Sequence, residues 1–211
     1  MIRNYTKLPA SFYVDDDVVK LARQLIGKLL ITDRDGGRCV GRIIETEAYR
    51  GPADKASHAY GGRRTARTEV MYAPGGVAYV YLCYGIHHLF NVVTNVKDVP
   101  HAILIRAIEP LEGKDIMMQR LGVTKWNDGI GAGPGKVTKA LGIRVEDSGF
   151  SLISDQLFLA DDGFVPMDIL ATPRIGVDYA GEDALLPYRF VVPGHRGISA
   201  KSFTKKFITC V

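Results

Sequence analysis

The sequence predicts an α+β fold: a single domain with a largely antiparallel curved β-sheet, surrounding helices and a protruding β-hairpin. Three observations predict it. β-rich runs crowd the middle of the chain, two of them are separated only by Gly85-Ile86-His87-His88, and no repeat, low-complexity segment or linker divides residues 1–211. A chain of 211 residues that is 46% hydrophobic can bury a sizeable core as one domain.

Taken in order, Val18, Leu21, Ala22, Leu25 and Ile26 have helical spacing, with Asp15–Asp17 as capping acids and Gly27 as an early stop. Leu29–Thr32 reads as a strand, Asp35-Gly36-Gly37 as a turn, and Val40–Ala48 as the returning strand. Residues 50–76 are polar and bounded by Gly51-Pro52 and Pro74-Gly75-Gly76; a connection that long is functional or partly helical. Val77–Tyr84, Leu89–Asn95 and Ala102–Ile108 are β-rich, and Tyr84 falls near a hairpin tip with His87-His88 as turn material. Leu111–Leu121 reads as an amphipathic helix, and Asn127–Lys136 as a glycine-rich loop entering a short helix through Leu141. Ser151–Ile153, Leu157–Leu159 and Arg189–Val192 are strand-like.

The formal charge of +4, from 27 basic and 23 acidic residues, permits a polyanionic partner without demanding one. Arg63, Arg64 and Arg67 cluster, as do Lys201, Lys205 and Lys206, though a solvated surface explains either group. Cys39, Cys83 and Cys210 are odd in number and widely spaced, which points to reduced thiols rather than a disulfide scaffold or zinc site. The first residues lack an apolar secretory core, and the run around Val77–Tyr84 is too short to span a bilayer. The expected location is cytoplasmic or nucleoid-associated, and nuclear in a eukaryote.

The most informative stretch is Glu45-Thr46-Glu47-Ala48-Tyr49. Strand side chains alternate, so Glu45, Glu47 and Tyr49 project from one face, successive ones roughly 6–7 Å apart. Two carboxylates that close cannot both ionise in a low-dielectric site without a cation between them, and Arg106 is the candidate if its strand lies alongside. The bland alternative is an acidic, solvated strand face. Tyr79 and Tyr81 share a face, and half-buried sheet packing accounts for Tyr79. Tyr84 beside Gly85 has nothing local to bury it, and an aromatic at a protruding turn can wedge into a base stack.

Gly129-Ile130-Gly131-Ala132-Gly133-Pro134-Gly135-Lys136 is neither a P-loop nor G-x-G-x-x-G. It leaves a helix N-terminus and Lys136 able to hold one phosphate, or simply a turn needing positive φ. His58, His87, His88, His101 and His195 lack metal-ligand spacing, and no cofactor is implied.

Together these residues resemble the alkyladenine (3-methyladenine) DNA glycosylase family, in its compact bacterial form. The likeness runs through Gly41-Arg42-Ile43-Ile44-Glu45-Thr46-Glu47-Ala48-Tyr49, Gly51-Pro52, His58, Gly61-Gly62-Arg63, Met71 and Pro74-Gly75. It continues in Tyr79-Val80-Tyr81, Tyr84-Gly85, Asn91, Arg106–Gly113, Gly133-Pro134, Lys136, Arg174-Ile175-Gly176-Val177 and Ala180-Gly181. The resemblance implies an enzyme that flips a damaged purine from double-stranded DNA and cuts its N-glycosidic bond. No lysine stands beside Glu47 as a Schiff-base nucleophile, so a monofunctional enzyme without strand cleavage is expected, and a monomer. It places the water-activating carboxylate at Glu47 and its supporting arginine at Arg106. Tyr49, His58 and Tyr81 would hold the base, and Asn91 would exclude guanine's amino group. Tyr84 would plug the vacated stack, and Arg63 and Lys136 would meet phosphates. Two other readings share these residues: a non-catalytic module for distorted DNA, and a hydrolase of free nucleosides or ADP-ribose.

Overall fold

The computed structural model describes residues 4–208, and it is built on one nine-stranded sheet in which every pairing is antiparallel. The strands are β1 (Thr6–Lys7), β2 (Leu29–Arg34), β3 (Gly37–Tyr49), β4 (Ala78–Cys83), β5 (His87–Thr94), β6 (His101–Glu112), β7 (Leu157–Asp161), β8 (Leu170–Thr172) and β9 (Arg189–Val191). They run in the order β1-β7-β2-β3-β6-β5-β4, with β9 on the free flank of β3 and β8 beyond it. The α-helices are α1 (Val18–Gln24), α2 (Lys114–Leu121), α3 (Pro134–Leu141) and α4 (Lys201–Ile208). None is long and apolar enough to cross a membrane.

β3 is the axis of the molecule. One edge pairs along most of its length with β6, while the other takes β2 on its first half and β9 on Glu45–Glu47. Its second half is therefore paired on both sides. The main core lies under α1 and α3, where Leu21, Leu25, Ile43, Phe90, Ile105 and Val137 are essentially dry.

The local signals act as their chemistry requires. Asp17 caps α1, accepting from the Val19 and Lys20 amides at 3.0 Å. Pro134 opens α3, where its missing N–H costs nothing, and Gly142 closes it at φ 71°. In the glycine-rich loop, a Cβ on Gly131 would meet the Ile108 carbonyl oxygen at 2.1 Å. Close approach to β6, rather than a turn, explains that glycine; Gly133 is the one member of the run with positive φ.

Several boundaries differ from expectation. His87 and His88 lie in β5, and the turn is Cys83–Ile86, closed by the Ile86 amide on the Cys83 carbonyl at 3.2 Å. Leu111 and Glu112 end β6, because pairing with Val40 extends the strand, and the following helix starts at Lys114 with Met117 as its buried residue. Ser151–Ile153 makes only isolated bridges, having no partner strand along its length. Residues 50–76 contain three short 3₁₀ turns, at Gly51–Ala53, Tyr60–Gly62 and Glu69–Tyr72. Cys39 and Cys83 are free thiols, and Cys210 lies outside the described residues.

Candidate active site

The β3–β6 register breaks twice beside the acids. Ile43 pairs with Ile108, Glu45 with Ala107 and Thr46 with Ile105, so Ile44 on β3 and Arg106 on β6 are each bulged out of the ladder. A bulge re-aims its side chain. Here it places the Arg106 guanidinium between two carboxylates, with Nε 3.2 Å from Glu45 Oε1 and Nη1 3.3 Å from Glu47 Oε2.

Both acids are fully buried, which rules out the solvated strand face. Their charges are matched by two guanidiniums, Arg106 and the fully buried Arg189 of β9. Burial opposes charge on Arg106, but Glu47 and Glu45 more than offset it and hold the group protonated.

The two acids are not equivalent. A carboxylate offers about four lone-pair positions. Glu45 takes four donors, three on Oε1 (Arg106 Nε, Arg189 Nε at 2.7 Å and Ser199 Oγ at 2.7 Å) and one on Oε2, the Ser199 amide at 2.6 Å. Glu47 takes three among the described residues: Arg106 Nη1, the Tyr49 hydroxyl at 2.8 Å and the Ile175 amide at 2.8 Å. Oε2 receives two of these and Oε1 one, which leaves Glu47 a free position on Oε1. Glu45 is the anchor, tied by one more donor and by a second guanidinium, Arg189.

Glu47 does not line the open cavity. Its three hydrogen-bond partners do, so the carboxylate lies directly behind the wall made by Tyr49, Arg106 and Ile175. The cavity measures about 660 Å³, room for a nucleobase with part of its sugar. Tyr49, His58, Tyr81 and Asn91 all border it, as do Arg67, Tyr84 and Lys136.

The π-rich wall is tightly organised. Tyr79 and Tyr81 rings lie 5.5 Å apart, and His58 meets Tyr81 edge-on at 4.6 Å. Tyr79 is buried packing, as expected, and its hydroxyl lies 2.9 Å from His58 Nδ1. Arg67 Nη2 lies 3.5 Å from His58 Nε2. A guanidinium only donates, so Nε2 accepts and Nδ1 carries the hydrogen. Burial, then the charges of Arg67 and Arg63, push His58 down to about 4, so the ring is neutral near pH 7. Burial and the neighbouring Glu47 charge raise Tyr49 well above an ordinary phenol, keeping it a donor.

Asn91 is held in place from β5. Its amide nitrogen donates to the Tyr79 carbonyl at 3.1 Å and to Leu89 at 3.4 Å, which fixes the side-chain orientation. Tyr84 sits at the hairpin tip, 92% exposed with φ 51°, followed by Gly85 at φ 72°. This is a type I′ turn, whose first central position suits Asn, Asp or Gly rather than a bulky ring.

The basic residues diverge in role. Arg64 is tied to Glu69 and Asp98, Arg67 lies over the Tyr81 ring at 4.9 Å, and Arg63 is exposed without an ion pair among the described residues. Lys136, exposed in the first turn of α3, donates to the Gly129 carbonyl at 3.1 Å. Among the described residues there is no group of three His, Cys, Asp or Glu that could hold a metal.

Sequence reasoning gave no role to three members of the site, one of which, Arg174, lay within the family likeness. Arg189 neutralises Glu45, Ser199 bonds it twice, and Arg174 forms a buried bidentate pair with Asp54 at 2.5 and 2.8 Å while lying 4.9 Å from the Tyr49 ring. Arg174 precedes the amide that reaches Glu47, and it lies between Pro173 and Ile175-Gly176 outside any helix or strand, where no period marks a buried side chain.

A family model described as Methylpurine-DNA glycosylase (MPG) matches residues 11–196. A protein of Chlamydia abortus is 51% identical over 186 residues, covering 88% of this chain and 97% of its own. One from Bacillus licheniformis is 47% identical over 192 residues, covering 91% and 96%. Both carry the name "Putative 3-methyladenine DNA glycosylase".

Proposed function

This chain belongs to the methylpurine-DNA glycosylase family, and from that premise we propose how it acts. It flips alkylated or deaminated purines out of double-stranded DNA and hydrolyses the N-glycosidic bond with a Glu47-activated water, leaving an abasic site. The observation that carries this reading is the unequal setting of the two acids: Glu45 takes four donors and a second guanidinium, Arg189, while all three partners of Glu47 border the cavity.

Cleavage of a glycosidic bond passes through an oxocarbenium-like sugar. A water bound at Glu47 Oε1 is deprotonated as it attacks C1′, and the carboxylate stabilises the positive charge growing there. Arg106 sets its positive charge 3.3 Å from Glu47 Oε2, and its pairing with Glu45 keeps it in place as Glu47 takes up the proton. Alkylation at N3 or N7 makes the purine cationic and a good leaving group. The faces of Tyr49 and Tyr81 favour such a cation by about 0.5–2 kcal/mol per contact. A neutral His58 adds no repulsion. Asn91, fixed by two carbonyls, forms an unyielding wall against guanine's amino group.

Flipping costs a few kcal/mol, and Tyr84 offsets part of it by filling the stack. A tyrosine held at positive φ on an exposed tip is retained against backbone preference, as functional residues often are. Arg63 and Lys136 take backbone phosphates on either side. The lysine bordering the cavity is engaged with the Gly129 loop, which supports a monofunctional enzyme without strand cleavage; that it acts as a monomer is part of the same proposal. The test is incubation with duplexes carrying 3-methyladenine, hypoxanthine or ethenoadenine. Strand breaks should appear only after alkali; breaks without alkali contradict monofunctionality, and none after alkali contradicts excision.

A further inference from the structure

We infer that Ser199 is a positioning residue for the Glu47 base, latching Arg106 between the two carboxylates from a segment beyond the family match. The inference rests on the glycosylase reading above. The match ends at residue 196, yet the chain from Gly197 into α4 closes the charge cluster. The Ser199 amide donates to Glu45 Oε2 at 2.6 Å and its hydroxyl to Glu45 Oε1 at 2.7 Å. That hydroxyl has one proton, so toward Arg106 Nη2, 3.4 Å away, it accepts. The Ser199 carbonyl and the Thr204 hydroxyl accept from Arg189 Nη2 at 3.3 and 2.9 Å. Ala200, at φ 45°, turns the chain into α4 so that both residues face inward.

Ser199 thus satisfies Glu45 while holding the far side of Arg106. Without its hydroxyl, Glu45 loses a donor and Arg106 loses an acceptor. Both losses draw the guanidinium toward Glu45. Its contact with Glu47 Oε2, through Nη1 at 3.3 Å, is the one that such a shift lengthens. The other groups facing Glu47 stay in place: Tyr49 on its own strand, Tyr81 from β4 and Arg189 from β9. From the segment after β8 come Tyr179 and Arg174, the latter paired with Asp54.

The experiment is a carbon-13 titration of the Glu47 carboxyl in the full chain, assigned with Glu47→Gln, for wild type, Ser199→Ala and Ser199→Thr. Ser199→Ala should titrate about one pH unit higher, a tenfold change in the proton equilibrium. Ser199→Thr, which keeps the hydroxyl, should return to the wild-type curve. Single-turnover excision by Ser199→Ala should fall about tenfold on the acidic side, with duplex affinity unchanged. Coincident titration curves for wild type and Ser199→Ala overturn the inference, even if the variant melts earlier, because that is a structural role alone. Excision by wild type is read in parallel. Its absence would overturn the glycosylase reading, while the titration still decides what Ser199 does.

Discussion

Glu45 and Glu47 share the guanidinium of Arg106 at 3.2 and 3.3 Å, and among the described residues only Glu45 has a second arginine, Arg189, at 2.7 Å. The asymmetry divides labour between two acids of the same strand face. Glu45→Gln removes the charge that two buried guanidiniums depend on. Breaking such a pair costs about 3–5 kcal/mol. In a chain of this size the melting temperature falls about 2–4 °C per kcal/mol. Thermal melts should show Glu45→Gln far less stable than Glu47→Gln; the reverse order would contradict the assignment of Glu45 as anchor.

Tyr49→Phe keeps the ring and removes one donor from Glu47 Oε2. A hydrogen bond to the charged form lowers a carboxyl's pKa, so losing it raises the pKa. The acidic limb of the pH–rate profile should move to higher pH, with the plateau rate near wild type. An unmoved limb with a lower plateau would mean that the hydroxyl acts on the base rather than on Glu47.

His58 carries a signature in stability. Its folded pKa lies near 4, below the ordinary 6.5, so between these values the unfolded chain binds the proton and the folded one does not. This contribution is complete above pH 6.5 and is lost as pH falls toward 4. It amounts to about 1–3 kcal/mol. Between pH 7 and 5, wild type should lose more melting temperature than His58→Gln does.

Tyr84→Ala should leave the fold alone, since the ring is 92% exposed and touches no core cluster. Exposed substitutions usually stay within about 0.5 kcal/mol. Excision from duplex DNA should fall, and excision from single strands should not, because only the duplex has a stack to plug. Equal losses on both substrates would remove the wedge role.

Much of this was readable from the chain, for physical reasons. Alternation put Glu45, Glu47 and Tyr49 on one face, and Tyr84 was conspicuous because a ring beside Gly85 at a hairpin tip has nothing local to bury it. Arg106 was legible as a screen once its strand was placed beside β3, but the bulge that aims it was not, since register depends on both strands. Ser199 and Arg189 were invisible. Their role comes from contacts to Glu45 that span 154 and 144 residues of sequence, and no local pattern records such pairs. His88 looked like turn material because histidine is polar, yet pairing with Leu82 keeps it in the ladder.

The most direct test is single-turnover excision of hypoxanthine and ethenoadenine by Glu47→Gln, alongside its affinity for the same duplexes. Glutamine preserves the shape of the side chain behind the Tyr49–Arg106 wall and cannot take the water's proton. The rate should fall by about 10²–10⁴-fold with affinity retained. Excision at the wild-type rate would show that the proton goes elsewhere and that Glu47 is not the base.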